Sequence, residues 1–171
     1  MIKYYKVRVA FFTYICFILV SSCGEISSVS EQKKNIKAYE FSLKSLDGNE
    51  ISLKEFQGKK AVYLVFWATW CPACKKDIPR LKMLSKDLNT KEIELLTINV
   101  GSGDSPDKIA EFKKKYDISY TILYDEGGKV SKAYKIVGIP THILIDRNGI
   151  IRYNAHSPPH DISGYLKKFK G

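Results

Sequence analysis

Two cysteines three residues apart, Cys71 and Cys74, close the stretch Trp67-Ala68-Thr69-Trp70-Cys71-Pro72-Ala73-Cys74. A Cys-x-x-Cys pair at the junction of a strand and a helix is first a redox site. The apolar, β-branched and aromatic run Ala61–Phe66 supplies the strand, and Lys75–Leu88 carries the pattern of the helix. A cysteine at a helix start faces unsatisfied backbone N–H groups and the positive end of the helix dipole. Both favour the thiolate, which is the nucleophilic form. Cys74 would lie one helical turn on, close enough to close a small disulfide ring. Pro72 suits the first helical position, where its missing N–H costs nothing. Pro79 falls inside the helix and is expected to kink it.

The rest of the chain narrows that chemistry. Of four cysteines, Cys16 lies in an apolar N-terminal run and Cys23 just after it, so Cys71 and Cys74 have no competitor in the folded part. A disulfide across so short a loop stabilises a fold little, so its use is chemical. The 171 residues and 44% hydrophobic content suit one domain with short extensions. The net charge of +10 is spread along the chain without a nucleic-acid-binding motif, and reads as solvated helix faces. Loss of Lys3, Lys6 and Arg8 with a leader would leave +7.

Residues 1–22 read as an export signal: a basic start, then the apolar run Val7–Val20, too short to span a bilayer. Leu19-Val20-Ser21-Ser22-Cys23 resembles a bacterial lipobox, which makes Cys23 a candidate lipidation site. A plain cleaved signal or an uncleaved anchor are the competing readings. Residues 23–38, rich in Ser, Glu, Gln and Lys, read as a flexible tether with a reach of roughly 20 Å. The folded domain is expected over 39–171.

Within it, Phe41–Leu43 and Ile51–Leu53 flank Asp47-Gly48 as a hairpin. Strands are expected at Ile93–Val100, Thr121–Tyr124, His142–Asp146 and Ile150–Asn154. Helices are expected from Pro106 to Tyr116, capped by Ser105, from Gly128 to Lys135, and from Asp161 to Lys170. Alternating strands and helices give an α/β fold with a mixed sheet, closed by an antiparallel hairpin.

Four features together carry a resemblance: the leading hairpin, the Trp-Cys-Pro-Ala-Cys stretch, Pro79 five residues after Cys74, and Gly138-Ile139-Pro140-Thr141 before a strand. The chain resembles the membrane-anchored, extracytoplasmic branch of thioredoxin-fold proteins related to TlpA and ResA. The match covers about Phe41–Phe169. It implies a thioredoxin-like fold, a central mixed sheet flanked by helices with an N-terminal β-hairpin, and a thiol–disulfide oxidoreductase without a cofactor. Cys71 would be the attacking thiol and Cys74 the resolving one. Pro140 would be the family's cis-proline, and Trp70, Pro72, Ile139 and Pro140 would meet the partner.

The resemblance also implies protein thiol or disulfide substrates, a membrane electron donor, a lipid anchor and a monomer on the extracytoplasmic side. The relatives act as reductants, for example of cytochrome c maturation thiols; an oxidase or isomerase is the reverse reading. Two departures stand out. Thioredoxin's buried acid before the motif is replaced by Val65. Asp77 stands where anchored relatives carry a longer glutamate, and is weighed equally as a helix-dipole acid. A copper-handling protein using the same sulfurs, with His142 as a neighbour, is the alternative from another class. His156 and His160 lie too far from the cysteines in sequence, and across Pro158-Pro159, for a zinc finger. A peroxiredoxin would have Thr where Ala68 stands.

Overall fold

The strand Ala61–Trp67 (β3) is buried at all seven positions. Successive side chains of a strand point to opposite faces, so a strand buried throughout needs cover on both. A computed structural model of the chain, describing residues 35–87 and 92–168, shows that cover.

Tyr63, Val65 and Trp67 pack on one side with Cys74, Ile78, Leu81, Ile109 and Phe112. These belong to helices α1 (Pro72–Asp87) and α2 (Pro106–Lys115). Val62, Leu64 and Phe66 pack on the other side with Phe41, Leu53, Val130 and Tyr134. A fully buried aromatic such as Phe66 contributes about 1.5–3 kcal/mol.

The main sheet has the order β5-β4-β3-β6-β7. Its other strands are β4 (Ile93–Asn99), β5 (Thr121–Tyr124), β6 (Thr141–Ile145) and β7 (Ile151–Ala155). The first three in that order run parallel, β6 is antiparallel to β3, and β7 is antiparallel to β6. The register sets Val65 directly across from His142. A separate hairpin, β1 (Ser42–Lys44) with β2 (Glu50–Ser52), is bridged to β5 through Ser45 and Leu123. Helix α3 (Lys129–Ala133) covers the second face, and α4 (Ile162–Lys168) places Ile162 against the first. The α/β, thioredoxin-like architecture with its leading hairpin is therefore as the sequence implies.

Local differences have local causes. Leu53 opens a 3-10 turn instead of extending the hairpin. Ser52 caps the amide of Lys54, and the Glu55 carboxylate accepts the Ser52 amide. Residues 36–38, placed in the tether by composition, run along the outer strand. Lys37 bridges Ile150, Ala38 is buried, and the Ala38 amide donates to Gly149 O at 2.8 Å. A free strand edge offers hydrogen bonds to any passing backbone. Helix α3 is shorter than expected because Lys135 takes a left-handed φ of 54°. Helix α1 runs through Pro79 to Asp87, and Leu88 lies outside the described residues. Asp161 does cap α4, accepting the Gly164 amide at 2.8 Å.

No helix among the described residues is long and apolar enough to cross a membrane. The expected signal 1–22 and Cys23 lie outside them.

Candidate active site

β3 ends at Trp67, and the chain turns through Ala68-Thr69-Trp70 before α1 begins at Pro72. That turn is fastened to the loop after β4. The Asp104 carboxylate accepts the Thr69 amide at 2.8 Å, the Thr69 hydroxyl and the Asn99 side-chain amide at 2.7 Å. Its side chain is fully buried, with Lys108 at 3.3 Å. Burial alone would raise its carboxyl. The hydrogen bonds from Asn99, Thr69 and Lys108 outweigh that and hold it below the usual carboxylate range. Next along the turn, the Trp70 indole donates to Ser102 O at 2.7 Å and stays half exposed.

Cys71 therefore arrives at the helix start on a fixed support. Its carbonyl accepts the first helical amide, from Lys75, at 3.3 Å. The Cys74 amide donates to Cys71 Sγ at 3.1 Å, the local arrangement that favours a thiolate. Cys71 and Cys74 form a disulfide with a Cα–Cα distance of 5.3 Å. The two residues are 3% and 4% exposed, so residue burial does not tell them apart; the amide does.

The segment before β6 meets the sulfurs from the other side. Ile139 O lies 3.7 Å from Cys71 Sγ, and the Ile139–Pro140 peptide is cis. The Thr141 hydroxyl donates to Gly138 O at 2.6 Å. His156 places Nδ1 at 3.0 Å from Pro140 O and 3.3 Å from Thr141 Oγ1. A carbonyl can only accept, so Nδ1 carries the proton there. His156, set aside in the zinc reading, thus supports the proline loop.

Beneath the disulfide is a cavity of about 10 Å³ lined by Val65, Trp67, Cys74, Asp77, Thr97 and Pro140, among others. Asp77 and Cys74 therefore face the same space. Asp77 Oδ2 lies 3.2 Å from His142 Nε2, and His142 Nδ1 lies 2.9 Å from the Tyr63 hydroxyl. His142 is fully buried and turned to these two residues. No cluster of three or more His, Cys, Asp or Glu among the described residues is arranged to hold a metal ion.

Residues 35–154 match the AhpC/TSA family model. The chain belongs to the AhpC/TSA family. Among curated members, it is 32% identical to the thiol-disulfide oxidoreductase ResA of Bacillus thuringiensis subsp. konkukian, over 88% of this chain and 92% of that protein. Among solved structures, StoA from Bacillus subtilis superposes with a TM-score of 0.62 at 29% identity, covering 71% of this chain and 90% of StoA. A thiol:disulfide interchange protein of the thioredoxin family from Chlorobium tepidum gives 0.67 at 25% identity, covering 79% and 96%. This AhpC/TSA-family chain is thus a thiol–disulfide oxidoreductase of thioredoxin-like fold, with Cys71 and Cys74 as its cysteine pair. Where a peroxiredoxin would place a hydroxyl, it has Ala68, fully buried, whose carbonyl accepts the Cys71 amide.

The cysteines, Asp77 and the proline loop, all named from the sequence, are brought together here. Sequence reasoning missed Asp104, which sits in a loop whose composition only says turn, and it missed Tyr63, which reads as one more core residue of β3.

Proposed function

We propose that this oxidoreductase is a reductase of protein disulfides on the extracytoplasmic face of a bacterial membrane. The observation that carries the reading is the Cys74 amide on Cys71 Sγ at a helix start, which supports Cys71 as the attacking thiol. In the reduced protein the Cys71 thiolate attacks one sulfur of a partner disulfide. A Cys71–partner bond forms, the partner's S–S bond breaks, and one partner thiolate leaves and takes a proton. The Asp77 carboxylate then accepts the Cys74 proton, and the Cys74 sulfur attacks Cys71 Sγ. The intramolecular disulfide forms and the second partner thiolate leaves. Two electrons have passed to the partner, and a dithiol donor at the membrane must restore them.

Trp70, Pro72, Ile139 and Pro140 frame the sulfurs and would contact the partner, oxidised cytochrome c maturation thiols being one class that fits. Residues 1–22 would direct export, Cys23 would carry the lipid, and the residues up to about 35 would tether a monomeric domain.

The experiment is the redox state of Cys71 and Cys74 in growing cells, read by trapping free thiols with an alkylating agent of added mass. A reductase with an electron supply keeps the pair mainly as thiols. A pair held almost wholly as the disulfide contradicts the proposed direction.

A further inference from the structure

Thioredoxin-fold chemistry needs a group to take the proton of the buried resolving thiol, and the usual place for an acid on β3 is filled by Val65. Across the sheet from Val65 stands His142, fully buried. Its two nitrogens have different neighbours: Nδ1 the Tyr63 hydroxyl at 2.9 Å, Nε2 the Asp77 carboxylate at 3.2 Å. Nε2 and Asp77 Oδ2 are both buried and neither makes an aligned hydrogen bond in this geometry, and at 3.2 Å each is the ion-pair partner of the other.

We infer that His142 is a positioning residue for the resolving step, with Tyr63 fixing its tautomer so that Nε2–H holds the Asp77 carboxylate toward Cys74. This rests on the reading of Asp77 as the proton acceptor. The Tyr63 hydroxyl is kept protonated by burial, against the nearby charge of Arg80 and with that of Asp77, so it has a proton to give to Nδ1. A donor at Nδ1 leaves the proton of the uncharged imidazole on Nε2, aimed at the carboxylate. The ring is packed nearly parallel to that of Tyr63, at 6.0 Å between centres, so its orientation is fixed as well.

The other ionisable groups around this chain are Arg80 of α1, Tyr120 at the entry to β5 and Tyr153 of β7. Tyr120 is also held protonated, by burial first and then by the Asp77 charge. Oδ2 of Asp77 is buried and lines the cavity shared with Cys74, so its carboxylate projects inward from α1. The arrangement does from β6 and α1 what an acid on β3 would do alone.

The test uses full-length protein with Cys16 and Cys23 changed to Ser, reduced and mixed with Ellman's reagent. The first coloured thiolate released reports the attack by Cys71, and the second reports resolution by Cys74. In His142→Gln the first release keeps its rate. The second slows about tenfold at neutral pH, the scale of one hydrogen bond to a charged group. Tyr63→Phe shows the same pattern to a smaller degree, and serves if His142→Gln does not fold. In the unmutated protein, nitrogen NMR should show His142 with Nε2 protonated and Nδ1 bare. The inference is overturned if Nδ1 carries the proton, or if both variants resolve at the parental rate while Asp77→Asn is slow. An Asp77→Asn protein that resolves normally instead overturns the reading of Asp77 on which this one stands.

Discussion

The backbone amide of Cys74 points at Sγ of Cys71 from 3.1 Å, and nothing comparable points at Sγ of Cys74 among the described hydrogen bonds. The two cysteines are almost equally buried as residues, and this amide with the helix start around it makes their sulfurs chemically unequal.

The inequality predicts how single variants behave. A Cys74→Ala protein should react with an alkylating agent well below the pH at which a free cysteine does, and should accumulate mixed disulfides with partners on a non-reducing gel. Cys71→Ala should lose both properties. Equal reactivity of the two variants across pH would remove the assignment of roles.

Asp104 predicts a link between the active-site turn and acid stability. Its carboxyl is held below the usual range, so its contribution is complete above the unfolded value of about 3.9 and fades as pH falls through the lower native value. Asp104→Ala strands the donors of Thr69 and Asn99 and should cost about 3 kcal/mol in denaturant unfolding at neutral pH. The gap between parent and variant should stay constant from pH 7 to 5 and narrow below about 4. A gap independent of pH down to acid unfolding would contradict it.

Gly101 has a φ of +73°, and a Cβ there would sit 2.3 Å from Asp125 O, a backbone atom. Gly101→Ala must therefore displace the loop on which Trp70 and Thr69 lean. A loss of about 2–4 kcal/mol is expected, measured by chemical denaturation, with slower disulfide exchange in the surviving folded protein. A stable variant with normal exchange would show that the loop does not hold the site.

The sequence made some of this legible for physical reasons. β3 is a short apolar run buried on both faces and β4 is mostly so, and their identity needs no partner to be read. The cysteine motif lies wholly within one strand-to-helix junction. Helix α2 announces itself through Ser105 at its cap and Pro106 in its first turn. Asp77 could be placed on the first turns of α1, but its partner could not. His142 meets it only because β6 pairs with β3 in one register, and Tyr63 joins from 79 residues away. The same holds for Thr69 and Asp104, 35 residues apart. Contacts set by sheet register leave no local trace, so the supports of the site stayed hidden while its reactive atoms did not.

The most direct measurement is the equilibrium of the Cys71–Cys74 couple in full-length protein against dithiothreitol or glutathione buffers of known potential. The account predicts a reversible two-electron couple near thioredoxin's value of about −270 mV, or lower. A value near about −120 mV would make the protein a disulfide donor, and the absence of any reversible couple would contradict exchange through these two sulfurs altogether.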